Sequence, residues 1–252
     1  MIKAHDIWKS FGTHAVLKGL NLEVNKGETM VIVGRSGVGK SVLLKQIICL
    51  DQPDRGYIEV EGTRISEIGS SDRNKMLQNI GMLFQGSALF DSMNIFDNTA
   101  FCLRQHLDPI THKPRTEQEI KARVTTALKM VGLAGVEDKL PSELSGGMKK
   151  RAALARLIIY RPKIMLYDEP TTGLDPITAM QINELIIETQ AELQSTSIVV
   201  THDMLSAHVI ADWIGFFHPT EGRISFLARK ADFFKSDDPL VRAFLDSTLL
   251  RN

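Results

Sequence analysis

Apolar and polar positions along the 252 residues fall into two contrasting patterns, which divide the chain between two kinds of sheet. Ile2 to Phe11 and Ala15 to Val24 are strand-like runs joined by a turn at Gly12-Thr13, and Tyr57 to Val60 and Thr63 to Ile65 form a hairpin through Glu61-Gly62. These predict an antiparallel layer. Met30 to Val33, Ile80 to Phe84, Ile164 to Tyr167, Ser197 to Val200 and Ile214 to Phe217 are short and mostly apolar, the pattern of parallel strands buried on both faces. Helical stretches separate them, so the core is α/β. Between Gln85 and Arg161 no strand pattern occurs. Asn94 to His106, Thr116 to Val131 and Gly146 to Tyr160 read as helices, a helical subdomain inserted in the sheet, with a surface loop at Asp108 to Pro114. No internal repeat, low-complexity tract or heptad run is present.

The last stretch lies beyond what the sheet needs. In Ser236-Asp237-Asp238-Pro239 an Asp N-cap followed by proline at the first helical position starts a helix. Leu240, Val241, Phe244, Leu245 and Leu249 then share one face. That face has two open uses, packing on its own domain or docking on a neighbouring chain.

Composition narrows the classes. The hydrophobic content of 43% supplies a sizeable core. Lys+Arg and Asp+Glu both number 30, so no net field steers the chain toward nucleic acid or anionic lipid. Cys49 and Cys102 stand far apart in apolar surroundings with no C-x-x-C partner, which suggests reduced structural thiols in a cytosolic protein. The opening Met1-Ile2-Lys3-Ala4-His5-Asp6 lacks the layout of a signal peptide. No stretch approaches the roughly 18 apolar residues of a membrane span. The expectation is a soluble, cytoplasmic protein.

Candidate chemistry centres on Gly34, Arg35, Ser36, Gly37, Val38, Gly39, Lys40 and Ser41, which fit G-x-x-x-x-G-K-[ST] between an apolar strand (Thr29 to Val33) and an apolar helix-like run (Val42 to Leu50). Glycines let successive backbone N–H groups turn inward as a nest for phosphate oxygens at the positive end of a helix dipole. Lys40 would reach the β- and γ-phosphates of a nucleotide, and the Ser41 hydroxyl would be a Mg²⁺ ligand. Ile164 to Glu169 is an apolar strand ending in two carboxylates at the edge where α/β sheets bind ligands. Asp168 would hold Mg²⁺ through its water shell, and Glu169 would polarise the water that attacks the γ-phosphate. In Leu144-Ser145-Gly146-Gly147 the serine can cap the helix that follows, and the two glycines leave its first N–H groups uncovered as a second anion site.

Phosphate loop, Gln85, L-S-G-G, D-E, Gly173-Leu174-Asp175 and Thr201-His202-Asp203, in this order over about residues 1 to 230, resemble the ATP-binding-cassette ATPases. The resemblance implies a P-loop NTPase core of mostly parallel sheet, an antiparallel β layer and an inserted α-helical subdomain, with ATP and Mg²⁺ as cofactors. It divides residues 1–252, one nucleotide-binding domain, into a catalytic core (1–85 and 162–230), a helical subdomain (86–161) and a C-terminal docking tail (231–252). Phe11 matches the aromatic on which adenine stacks, although its pattern alone favours a core residue. Gln85 matches the glutamine that contacts Mg²⁺ and the attacking water. His202 matches the switch histidine at the γ-phosphate, and Asp175 the residue that joins two sites across a dimer. The family's L-S-G-G element completes the opposite subunit's site. The implied working unit is therefore a head-to-tail homodimer with two ATP between its halves.

Met148 stands where the family usually has glutamine and cannot hydrogen-bond the nucleotide. L-S-G-G-M followed by basic residues and A-A-L-A-R, Leu89-Phe90-Asp91-Ser92-Met93 after Gln85, and the Asp-Pro-x-Val-Arg-x-Phe-Leu-Asp tail resemble the ATPase of Mla-type phospholipid transporters. That resemblance implies a permease in the inner membrane with this chain on its cytoplasmic face, an Mce-domain lipid-binding protein, and room for a small regulator. Leu89, Phe90, Met93, Ile95, Phe96 and Phe101 crowd one segment, either helical-subdomain core or a groove for a permease helix. The alternatives are the ATPase of a small-solute importer, a soluble cassette acting on DNA or ribosomes, and a nucleotide switch without turnover. No coiled-coil insertion or basic stripe favours the second, and Glu169 and His202 disfavour the third.

Overall fold

The computed structural model describes residues 1–108 and 111–249, and of Leu249 only its backbone. Two positions of the expected 108–114 loop and the end of the expected tail thus lie outside the described residues.

In chain order, β1 (Ile2–Phe11), β2 (His14–Val24), β3 (Thr29–Val33), α1 (Lys40–Ile47), β4 (Arg55–Val60), β5 (Thr63–Arg64), α2 (Ser70–Leu77) and β6 (Ile80–Leu83) form the first part. The helical insertion follows as α3 (Ile95–Gln105), α4 (Glu117–Met130), a 3-10 turn at Pro141–Glu143, and α5 (Gly146–Ile158). The sheet then resumes with β7 (Ile164–Asp168), α6 (Pro176–Leu193), β8 (Thr196–Thr201), α7 (Met204–Ile210), β9 (Trp213–Phe217) and β10 (Ile224–Arg229), and the chain continues into α8 (Lys230–Phe233) and α9 (Pro239–Leu249).

The mostly apolar runs do become the parallel ladder. One sheet has the order β10-β9-β3-β8-β7-β6, and every residue of β3, β6, β7 and β8 is buried. Beyond the strands that the pattern predicts, β10 adds an antiparallel edge beside β9, and its alternating burial explains why it does not read as a core strand. The second sheet, β2-β1-β4-β5, is antiparallel throughout. Leu17, Leu20, Ile58 and Val60 of that sheet meet Leu43, Leu44 and Ile47 of α1 and Ile32 and Leu166 of the parallel sheet in one apolar cluster. The opposite face of the parallel sheet carries a larger cluster, with Val31, Tyr167 and Val199 against Leu154, Leu157 and Ile182. α1 is thus wedged between the sheets, and the loop before it is fixed from both sides.

Helix boundaries follow local chemistry. The Thr116 hydroxyl accepts from Glu119 N while Thr116 N donates to the Glu119 carboxylate, a reciprocal cap at the start of α4. Asp238 Oδ1 accepts from Leu240 N at 2.9 Å and Val241 N at 3.0 Å, the cap expected for the last helix. Part of that helix's apolar face packs on its own domain, while Leu240 is exposed. Val241, Phe244 and Leu245 are buried on the chain's own core, and the Phe244 and Phe216 rings lie 5.2 Å apart. Among the described residues no helix is long and apolar enough to cross a membrane.

Candidate functional site

The loop from Gly34 to Gly39 leaves β3 at the carboxyl edge of the sheet and enters α1 without a side-chain cap. Gly37 has φ 81° and Gly39 φ 114°. At Gly39 a Cβ would lie 2.8 Å from Val16 Cγ1 and 3.1 Å from Leu17 Cδ2, so this backbone presses directly on β2. Arg35, Ser36 and Gly37 form the exposed rim, Val38 is half-buried, and Lys40 is buried. The Lys40 ammonium donates to Gly34 O at 2.7 Å and Arg35 O at 3.0 Å, and stands 3.4 Å from Glu169 Oε1. Burial pushes it below lysine's ordinary range, against the upward pull of Glu169.

Ser41, one residue on, donates its hydroxyl to Asp168 Oδ1 at 2.7 Å across 127 residues of chain. Burial raises the Asp168 carboxyl, and the Ser41 bond opposes that rise. Glu169 follows β7 in the left-handed region at φ 49°, a conformation that costs a non-glycine residue about 1–3 kcal/mol. Its amide donates to Val200 O at 2.9 Å, which holds that bend against β8. Glu169 Oε2 lies 2.8 Å from His202 Nδ1 and accepts from Thr172 Oγ1 at 3.1 Å. Five side chains from three separate stretches, Lys40 and Ser41, Asp168 and Glu169, and His202, are therefore brought together at the ends of β3, β7 and β8. A hydroxyl and a carboxylate beside a phosphate-type nest fit Mg²⁺, which takes few protein oxygens when phosphates supply the rest. Among the described residues no cluster of three His, Cys, Asp or Glu offers a competing metal site.

The L-S-G-G segment sits apart from this group. Ser145 Oγ accepts from Met148 N at 3.3 Å as the cap of α5. A Cβ on Gly147 would strike the Thr178 side chain, so glycine here permits close approach to α6. Asp175 caps α6, accepting from Ile177 N at 3.1 Å and Thr178 N at 3.0 Å. The hydrogen bonds of Thr178 hold the exposed Asp175 carboxyl below its usual range. Among the described residues no hydrogen bond links Ser145, Gly146 or Gly147 to residues 34–41. Met148 packs against the helical core, an apolar role in place of a polar one.

Two outlying residues have mixed surroundings. Phe11 is 52% exposed with the Lys9 ammonium 5.3 Å from its ring centroid, so it is not core. Gln85 is exposed after β6, and its carbonyl accepts from Lys150 Nζ at 3.3 Å. The crowded apolar segment divides. Ile95 is fully buried and Leu89 and Phe96 pack on the core, whereas Phe90 is 39% exposed with the Phe101 ring tilted against it, the centroids 4.7 Å apart. A cavity of about 740 Å³ opens beside the Asp175 loop, between Arg35, Asn183, His202 and Phe244.

Thr172 and Lys150 touch Glu169 but do not emerge from motif reading. For Lys150 the available signal is helical phase: it shares a face with Leu154 and Leu157, whereas Lys149 does not.

Residues 17–172 match the family model described as ABC transporter. The chain is 40% identical to the "probable ribonucleotide transport ATP-binding protein mkl" of Mycobacterium leprae, over 97% of this chain and 68% of that protein. It is 37% identical to the "intermembrane phospholipid transport system ATP-binding protein MlaF" of Escherichia coli, over 98% of this chain and 88% of that one. Among solved structures it resembles the dimeric post-hydrolysis state of the ATP-binding cassette MJ0796 bound to ADP and Pi, with TM-score 0.80 and 29% identity over 91% of this chain and 99% of the other.

Proposed function

This chain belongs to the ABC transporter family and is one of its ATPases, and on that premise we propose that two copies, closing head to tail over two Mg·ATP, power a permease that moves phospholipid between membranes of the cell envelope. One observation supports this reading above the others. Lys40, Ser41, Asp168, Glu169 and His202 are assembled within one chain, while the Ser145 end of α5 makes no hydrogen bond to the loop that it would cover. The lysine-loop half of a site is thus built within one chain, which supports a lid supplied by a second copy.

In this reading the N–H groups of residues 34–40 and the Lys40 ammonium bind the phosphates, and Phe11 stacks on adenine. Ser41, Asp168 and Gln85 would hold Mg²⁺, which neutralises charge on the phosphates when bound. Glu169 accepts a proton from the water that attacks the γ-phosphate. His202 orients that carboxylate through its 2.8 Å contact and reaches the same phosphate. Ser145, Gly146 and Gly147 of the partner copy close over the nucleotide, and Asp175 joins the two sites. Loss of the γ-phosphate removes these contacts and releases the halves.

The phospholipid reading draws on the named function of the E. coli relative, which this chain matches almost end to end, and on the L-S-G-G-M and Asp-Pro-x-Val-Arg-x-Phe-Leu-Asp segments. It brings an integral permease, an Mce-domain protein and a small regulator as partners at the cytoplasmic face of the inner membrane. The ribonucleotide transport named for the M. leprae relative favours a second reading, the ATPase of a small-solute importer. Turnover of the complex reconstituted with its permease decides between them. Stimulation by phospholipid vesicles and indifference to ribonucleotides is the expected result, and the reverse selects the importer.

A further inference from the structure

The helix that begins at Ser145 carries two buried cations whose hydrogen bonds end on carbonyl oxygens. Lys150 is only 5% exposed, and its ammonium donates to Gln85 O at 3.3 Å and to Glu169 O at 3.1 Å. Two turns on, Arg156 donates to Ala88 O at 2.8 Å and Ser87 O at 3.3 Å, with the Phe90 ring 5.5 Å from its guanidinium carbon. The segment that Arg156 holds contains two successive non-glycine residues in the left-handed region, Ser87 at φ 65° and Ala88 at φ 50°. Glu169 is in that region too. α5 therefore grips the two bent loops that carry Gln85 and Glu169, and at Lys150 a single atom grips both.

We infer that Lys150 is a positioning residue: it fixes the Gln85 loop to the Glu169 loop, and it carries any movement of the Ser145 end of α5 to both at once. A charged group is suited to this because bonds from an ion to a neutral acceptor are stronger than neutral ones, and a lysine has three donors to share. Burial pushes Lys150 below lysine's ordinary range while Glu169 and Asp168 pull it upward, so the strut feels the charge of the site that it supports. When a second copy presses on Ser145, both loops move within the first. The inference rests on the reading that Glu169 and Gln85 act on ATP.

The test uses the full chain with its permease and three variants, Lys150→Met, Lys150→Arg and Glu169→Gln. Lys150→Met fills the same volume without donors. Its affinity for Mg·ATP stays within about two-fold of the parent, whereas kcat falls about 10- to 100-fold, the scale of a misplacement near 1 Å. Lys150→Arg, with five donors, restores most of kcat. Should Lys150→Met melt below the assay temperature, Lys150→Gln, which keeps two donors but is one bond shorter, must show the same fall in kcat at unchanged affinity. A parent-like kcat in Lys150→Met, a parallel loss of affinity and kcat, or no recovery with arginine overturns the inference. If Glu169→Gln turns over normally, the underlying site assignment fails. If Glu169→Gln is inactive and Lys150→Met is not, only the strut fails.

Discussion

Replacing Glu169 by glutamine isolates charge from shape. The carboxylate touches Lys40 Nζ at 3.4 Å, His202 Nδ1 at 2.8 Å and Thr172 Oγ1 at 3.1 Å, and a carboxamide of equal size keeps one acceptor for them. It cannot accept the proton of an attacking water. General-base assistance contributes about 10²- to 10⁴-fold, so kcat should fall by that factor, which is about 2.7–5.5 kcal/mol of barrier. Stability changes less. Lys40 loses its ion pair but keeps Gly34 O and Arg35 O, so the cost is about 1–2 kcal/mol, below the roughly 3–5 for a buried pair left with no other partner. For a chain of this size that lowers Tm by about 2–8 °C. Bound nucleotide phosphates replace the lost charge at Lys40, so saturating Mg·ATP should bring the variant back to the parent's ligand-bound Tm. Phosphate release, nucleotide titration and thermal scans with and without Mg·ATP measure all three. Turnover at the parent rate, or loss of ATP affinity in step with turnover, would refute the reasoning.

Asp168→Asn should raise the Tm of the nucleotide-free protein by about 2–4 °C at neutral pH, as expected when a costly functional charge is removed, and should abolish any gain from adding Mg²⁺ to ATP. The sign follows from its raised carboxyl: the native state holds that proton more tightly than the unfolded chain, so without ligand stability falls as pH rises from 3.8 through the higher folded value. The variant lacks this fall, and parallel pH–melting curves would expose its absence. Phe11→Ala should leave Tm unchanged, because an exposed ring contributes within about 0.5 kcal/mol, yet raise KM for ATP by about 5- to 150-fold if 1–3 kcal/mol of base stacking is lost. An unchanged KM removes Phe11 from the site. Phe90→Asp should leave the isolated chain folded and abolish co-purification with the permease, and retained co-purification excludes that exposed ring as a docking contact.

Much of this architecture is legible from residue pattern because burial on both faces leaves a simple trace. β3, β6, β7 and β8 are mostly apolar and uniformly buried, and each lies where its run predicts. Elements without that trace stay hidden. α2, Ser-Ser-Asp-Arg-Asn-Lys-Met-Leu, buries no residue and has no apolar stripe to reveal it. In the site, motif spacing brings Lys40, Ser41, Asp168, Glu169 and His202 to attention, and the fold then places them in contact. Lys150 is hidden in a run of three basic residues, because only the phase of α5 separates the buried cation from its neighbours. The apolar segment from Leu89 to Phe101 shows the same limit, since composition cannot tell the buried Ile95 from the half-open Phe90.

Closure of Ser145 from one copy over the lysine loop of another is the step on which the proposed function turns. It can be read by placing Ser36→Cys and Ser145→Cys together in a chain whose Cys49 and Cys102 are serine, and oxidising with Mg·ATP present. The expected product is a covalent dimer of twice the 28.1 kDa chain, formed with nucleotide and not without it. A disulfide closed within a single chain would contradict the head-to-tail site.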